Sequence, residues 1–583
     1  MSLELTAPIR KLLSGSAWTA VIVSGLLLTV LSCGEKKDAR FLKVGLHEEP
    51  KTLNIWLASD ANSKKILSLI YQPLYLRDPE TLSLIPWLAS GEPEYDPATI
   101  SYTVRLKPAR WSDGSEVTSI DVAFTASLIK EFRIPRYYSS WKFIKKIETP
   151  DNRTVRFYLE APKAIFLTRT LTSSIVSKKE WEHISQSART QQKPLKALIN
   201  HKIEKPMGCG PFVLEKWGRG TYVHLQKNRY FFGLHQEIGG RILGPYVNDL
   251  LFKVYGTADV AVLALKKGNI DMFWWGIQPG YIEDLKQQKN IKIFYCKKSA
   301  LYFLGFNLRT LPFSDVNLRQ AVAVLVDKEF IISRILQKYG TRMDSIVPPG
   351  NRYWFCSDVS RYGEGMDRND RIKKAYHILH TAGYAWEVPP VDESGRVVPG
   401  KGIRMPDGQL MKKITILTPP ADYDPHRAMS GMMIQEWLKA LGIPVLSRPM
   451  AFGALLDQVK GRHEFDAFIL GYGRLSMDPD YLRNFFHSAN DKHRGWNISG
   501  YNNPEFDRIA EKSASEMNQE LRQKLIFKMQ KIIMADIPYL PIYNPALLEA
   551  VRTDTFSGWV ETLDGIGNTW SFCLVKQNDT TSR

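Results

Sequence analysis

Residues 84–125 read LIPWLASGEPEYDPATISYTVRLKPARWSDGSEVTSIDVAFT, and the order of signals within them sets the fold class. The segment TISYTVRLKP alternates apolar and polar side chains, with Tyr102, Val104 and Leu106 on one face. That is the period of a half-buried strand. Asp113-Gly114 then marks a turn. Thr118, followed three residues later by Asp121, is a helix start, because side-chain oxygens there take up otherwise orphaned backbone N–H groups. Val122, Phe124 and Leu128 continue the helix.

The same alternation runs outward in both directions. FLKVGLHEE (41–49) reads as a strand stopped by Pro50, and ANSKKILSLIYQPLY (61–75) as a helix with Ile66, Leu69 and Ile70 at helical spacing. RTVRFYLE (153–160) is a strand. GPFVLEKW and TYVHLQKN (210–228) form a hairpin around Gly218-Arg219-Gly220. LLFKVYG is a strand before the helix ADVAVLALKKGNI, which ends at Gly268. Residues 316–340 read as a pair of long amphipathic helices, KKITILTPP and FDAFILGYG as buried strands, and 504–536 as helical almost throughout. Strands alternating with helices predict an α/β protein. The Gly-, Pro- and charge-rich segment 391–410 reads as a surface loop or hairpin.

At 583 residues the chain is too long for one core, so two or three domains are expected. Its formal net charge is +18, but the basic residues are scattered and no Lys/Arg block appears. This argues against a nucleic-acid partner and for attraction to an anionic envelope surface. The five cysteines, Cys33, Cys209, Cys296, Cys356 and Cys573, form no CxxC pair. The last four have open pairing, and Cys356 reads equally well as a buried free thiol.

The N-terminus has a basic start at Arg10 and Lys11, an apolar centre, and the exit Val30-Leu31-Ser32-Cys33-Gly34. This is an export signal. A cysteine after a small residue at that exit resembles a bacterial lipobox, in which the thiol is lipidated and the signal, residues 1–32, is removed. An uncleaved span is the other reading. Both put the body of the protein outside the cytoplasm. Gly34 after the cysteine leans towards the outer membrane in a diderm cell.

Motifs for catalysis or metal binding fail on inspection. GRVVPGK (395–401) has a P-loop skeleton, but Gly402 follows where a hydroxyl is needed, and no helix starts there. His463 begins HEFDA, which lacks a second histidine, and His377 and His380 sit on a helix face that reads as solvated. There is no GxSxG, and nothing orients pairs such as Glu48-Glu49. No catalytic residue, metal ligand or cofactor is expected.

Taken in order, several blocks resemble one family, the extracellular solute-binding proteins of dipeptide, oligopeptide and nickel ABC importers. They are EPKTLNIWLASDANSKKILSLIYQPLYLRDPET (49–81), the opening 84–125 block, GCGPFVLEKW (208–217), LGFNLRTLPFSDVNLRQAVAVLVDKEFII (304–332), HTAGY (380–384) and SGYNNPEFDRI (499–509). The resemblance implies a two-lobed, periplasmic-binding-protein-like α/β fold with a hinge. The first lobe is expected at 41–73, 186–300 and 537–583, a subdomain inserted in it at 74–185, and the second lobe at 301–536. The crossings are expected near 301–307 and 536–543. It further implies a monomer that carries a small solute, foremost a short peptide, to ABC permease subunits and is held at the membrane by its lipid.

GYGRLSMDPD (471–480) matches the family segment Gly-Trp-x-x-Asp-x-x-Asp/Glu-Pro, whose first acid pairs with the α-ammonium of a bound peptide. Here Tyr472 takes the Trp place and Leu475 the place of the acid, with Arg474 beside it. An enclosed ammonium without a partner costs several kcal/mol, so the alternative ligand has no free amine: a sugar, a cell-wall fragment or a metal chelate. Arg474 reads either as a ligand contact or as solvent-facing, and Asp478 as a cap of the next helix. Further contacts expected from the resemblance are Trp274 and Trp275, adjacent and therefore pointing to opposite faces of a strand, together with Trp496, Asn497 and Asn54. The rival classes are a secreted hydrolase with a dispersed site and a surface lipoprotein with an adhesive or chaperone role.

Overall fold

A computed structural model of the chain describes residues 41–563 and 565–578. The export segment and Cys33 lie outside the described residues. The fold is mixed α/β, with two large sheets and several small ones.

Phe41–Leu46 lies inside a seven-stranded sheet, parallel to Asp249–Val254 on one side and Met272–Phe273 on the other. Leu42, Val44 and Leu46, which alternate along it, are fully buried. The hairpin Phe212–Gly218 and Tyr222–Lys227 forms one edge. Its turn needs a left-handed residue, which Gly220 supplies at φ 72°. Leu547–Arg552 and Ile291–Cys296 complete the other edge.

The second large sheet has six strands, in the order Gly340–Arg342, Tyr539–Pro545, Leu301–Phe306, Ala467–Tyr472, Ile414–Thr418 and Val445–Pro449. Leu301–Phe306 and Tyr539–Pro545 are paired neighbours in this sheet. The chain passes between the two sheets at 297–300 and at Ala546. The two passages are adjacent: the Asn544 amide donates to the Lys298 carbonyl at 2.7 Å, and Tyr302 stacks on Tyr543 at 4.9 Å.

Residues 94–159 include a four-stranded antiparallel sheet, covered by the helix Ser119–Glu131. The capping box forms here, with Thr118 N–H donating to Asp121 Oδ2 at 2.8 Å. Trp111, Trp141 and Trp181 are fully buried around it.

The segment 504–536 is helical almost throughout, as expected, in two helices, Pro504–Ser515 and Gln519–Asp536. Asn518 Oδ1 accepts from the N–H groups of Glu520 and Leu521 and so starts a new helix. In the 316–340 pair, the first helix is Val316–Leu325, but the second is only Lys328–Phe330 followed by the wider turn Ile331–Ile335. Lys328, whose side chain is fully buried, is held there by Asp344 at 2.8 Å. Cys209, Cys296, Cys356 and Cys573 are all buried free thiols.

Candidate functional site

The helix Ala61–Ile70 is capped by Asp60, whose Oδ1 accepts from Ser63 N–H at 2.8 Å. It buries Ile66, Leu69 and Ile70 against the seven-stranded sheet's core and turns Lys64, Lys65 and Ser68 to a cavity of about 700 Å³. Trp274 and residues 567–569 line the same side. Arg136, Tyr137, Thr172 and Ser174 come from the region of the four-stranded sheet. Arg474, Leu475 and Ser476 follow the strand Ala467–Tyr472 of the six-stranded sheet. The cavity is therefore walled from both large sheets, whose connections are short.

Lys65 is its most constrained charge. The ammonium donates to the Trp274 carbonyl at 2.6 Å and lies 4.7 Å from the centre of the Trp274 ring. Burial lowers its pKa to about 8; Glu549 acts against this and Arg474 adds to it. Lys64 is also lowered, first by burial, then by the charges of Arg136 and Arg474, with Asp60 opposing. Arg136 donates to the Ala58 carbonyl.

Of the eight residues expected at the ligand, the structure brings Trp274, Arg474 and Leu475 to this cavity. Leu475 is 6% exposed and donates its N–H to the Ser299 carbonyl at 2.5 Å. Arg474 is exposed at the cavity wall rather than turned away from it. The adjacent tryptophans lie just past the strand Met272–Phe273 rather than in it. Trp274 packs against Phe252 and Phe572, while Trp275 stacks on His47 at 5.2 Å, and the Lys65 ammonium lies 5.7 Å from the Trp275 ring centre.

The other expected residues are not among those lining this cavity. Asn54 is buried, donating to the Leu198 and His201 carbonyls and accepting from Trp56 N–H. Asn497 is likewise buried, donating to the His487 and Tyr501 carbonyls. Tyr472 is stacked between Phe303 and Phe485, at 5.4 and 4.5 Å. Trp496 is half exposed beneath Lys460, whose ammonium is 3.5 Å from the ring centre.

Asp478 does not cap the next helix, Tyr481–Phe486, whose N-cap is Asp480. Asp478 accepts from Asp480 N–H, and its carboxylate is fully buried and paired with Arg522. Burial pushes its carboxyl up, but the Arg522 charge and the hydrogen bonds from Arg522 and Thr168 outweigh this and hold it well below the usual range.

Sequence reasoning missed Lys64, Lys65 and Arg136. One signal was available: Lys65 stands four residues before Leu69, beside the apolar stripe of its helix, where a solvated lysine is out of place. His377 and His380 are both exposed, and among the described residues no group of three His, Cys, Asp or Glu side chains is placed to hold a metal ion.

Residues 83–493 match the family model of bacterial extracellular solute-binding proteins, family 5 middle. The oligopeptide-binding protein AppA of Bacillus subtilis is 28% identical over 525 residues, which cover 88% of this chain and 88% of AppA. The structure of AppA in complex with a nonapeptide superposes with a TM-score of 0.64 at 24% identity, covering 92% of this chain and 99% of that one. A periplasmic oligopeptide-binding protein of an ABC transporter from Thermotoga maritima superposes with a TM-score of 0.74 at 22% identity, covering 93% of this chain and all of the other.

Proposed function

The chain belongs to the bacterial extracellular solute-binding proteins of family 5, and we propose from that premise that it captures short peptides or peptide-like solutes and delivers them to the transmembrane subunits of an ABC importer. The observation that carries this reading is the cavity of about 700 Å³ walled by Lys65 and Trp274 on one side and by Arg474 and Leu475 on the other. Proteins of this family bind solute and do not transform it.

The mechanism is hinge closure. One lobe is built on the seven-stranded sheet, with the four-stranded region inserted in it, and the other on the six-stranded sheet. The passages at 297–300 and Ala546 are the hinge. Closure is favoured only by contacts that exist when both walls touch the same guest. An extended peptide offers such contacts along its backbone, and waters filling roomy side-chain pockets cost little, which permits broad specificity.

The protein acts as a monomer, exported and anchored by lipid on Cys33 after removal of residues 1–32. Each buried methylene contributes about 0.8 kcal/mol, so two or three acyl chains hold where one is marginal. The Gly34 that follows favours the outer membrane.

A second reading, a solute without a free amine, is favoured by Leu475 at the cavity wall. Mass spectrometry of solutes co-purifying with the full-length protein tests both readings. Peptides in the eluate support the first; a sugar, wall fragment or chelate supports the second. Thermal unfolding gives an independent check, since a true solute at ~100 times its Kd adds about 2.7 kcal/mol. If no solute co-purifies and none raises the melting temperature, the binding reading is lost.

A further inference from the structure

Four cationic side chains from three separate segments line one cavity: Lys64 and Lys65 on the helix Ala61–Ile70, Arg136, and Arg474. Among the described residues, no Asp or Glu lines it. We propose, resting on the solute-binding reading above, that this cavity selects an anionic solute: a molecule carrying two or more carboxylates close together, whether an acidic peptide or a non-peptide polycarboxylate.

The nearby acids, Asp60 and Glu549, offset only part of this charge, two carboxylates against four cations. Asp60 bears on Lys64, but its Oδ1 caps the helix through Ser63 N–H. Glu549 bears on Lys65, but its Oε2 accepts from Ile566 N–H at 2.6 Å. Arg474 has other contacts in the fold, yet its charge still reaches both lysines. Lys65 has spent one N–H on the Trp274 carbonyl, and an ammonium has three. The cluster therefore keeps excess positive charge in a partly desolvated place, where charge is costly unless an anion shares it.

The placement of the charges also links selectivity to closure. Lys64 and Lys65 belong to the wall built on the seven-stranded sheet, and Arg474 to the wall built on the six-stranded sheet. Bringing these walls together over an empty cavity raises their mutual repulsion. A carboxylate between them turns the same approach into attraction, and an arginine fork takes a carboxylate by two parallel hydrogen bonds. A neutral guest of equal shape lacks this gain. Arg136, next to Tyr137, adds charge from the inserted region.

A strongly basic chain attracts anions everywhere, so the test must separate site from surface. Titration calorimetry on the full-length protein in detergent would compare triglutamate, its isostere triglutamine, trilysine, N-acetylated triglutamate and propane-1,2,3-tricarboxylate. The expected result is that triglutamate binds about tenfold or more tighter than triglutamine, and trilysine weakest, with the preference shrinking as salt rises. Tight binding of acetylated triglutamate and the tricarboxylate assigns the site to carboxylates in general; tight binding of the peptides alone assigns it to acidic peptides. Either supports the proposal. In Lys65→Met and, separately, in Arg474→Gln, the ratio of triglutamate to triglutamine affinity should fall by about three-fold or more. If triglutamine or trilysine binds as tightly as triglutamate, or neither variant alters the preference, the anionic assignment is overturned and the solute-binding reading stands. If no probe of any charge binds, the anionic assignment fails, and the solute-binding reading is decided by the co-purification test.

Discussion

Asp478 and Arg522 meet in two hydrogen bonds of 2.7 and 2.8 Å, with side chains 0% and 1% exposed. Thr168, in the turn Phe166–Thr170 after the four-stranded sheet, donates to the same carboxylate at 2.5 Å, so one ion pair ties that turn to the part of the chain carrying the six-stranded sheet. Removing one partner of such a pair leaves a buried charge uncompensated. Asp478→Asn is expected to cost about 3–5 kcal/mol, read as a lower urea midpoint. A loss below about 1 kcal/mol would mean that water reaches Arg522.

Glu180 supplies a pH dependence of opposite sign to that of Asp478. Its Oε1 accepts from Met207 N–H at 2.8 Å and its Oε2 from the Tyr71 hydroxyl at 3.3 Å. Burial pushes its carboxyl up from 4.5 to about 7, against these hydrogen bonds. Between those values the folded state holds a proton that the unfolded state has released. Stability contributed by this group therefore falls as pH rises through the window and levels off above it, by about 3 kcal/mol in all. Urea titrations at pH 5 and pH 8 on the wild type and on Glu180→Gln should show this component only in the wild type.

Cys209, Cys296, Cys356 and Cys573 are 0%, 1%, 2% and 0% exposed. Burial raises each thiol, that of Cys209 to about 12. Because the thiolate is the reactive form, all four should resist a thiol-reactive disulfide reagent in the native protein and react promptly in denaturant. Rapid labelling of one of them without unfolding would place it on a surface the fold does not give it.

Gly567 sits against the cavity wall. A Cβ built there would lie 1.8 Å from Trp274 Nε1, so Gly567→Ala must push the indole aside. An overpacked site of this kind costs roughly 1–3 kcal/mol. Thermal unfolding should show the loss, and tryptophan emission should shift. An unchanged spectrum would mean that the wall yields elsewhere.

The cationic cavity carries its own pH signature. Lys65 is lowered to about 8, with Glu549 opposing and Arg474 reinforcing the effect of burial. An anionic solute needs its protonated form, so affinity should be steady below that value and decline as pH rises through it. Calorimetry between pH 6 and 9.5 measures this, and in Lys65→Met the decline should disappear.

Much of the fold could be read locally. The alternation around Tyr102 and Val104, the Thr118–Asp121 capping box and the glycine turn at Gly220 depend on neighbours a few residues away, and each appears as expected. What local pattern did not report is of a different kind. The 504–536 segment keeps an apolar stripe across its break, so periodicity ran through the point where Asn518 restarts the helix. Asn54 and Asn497 occupy expected cleft segments, but their amides are spent on backbone carbonyls, which no local pattern reports.

The sequence by itself determined the α/β class, the order of capped strands and helices, and the family, because hydrogen-bond caps and hydrophobic period are short-range properties of a chain. Only the tertiary structure decided which charges share a space. Lys64 and Lys65 meet Arg136 and Arg474 in one cavity, and Asp478 turns from that cavity to Arg522. The physical reason is that the cost of burying a charge depends on the dielectric and partners around it in space, and residues distant along the chain supply both.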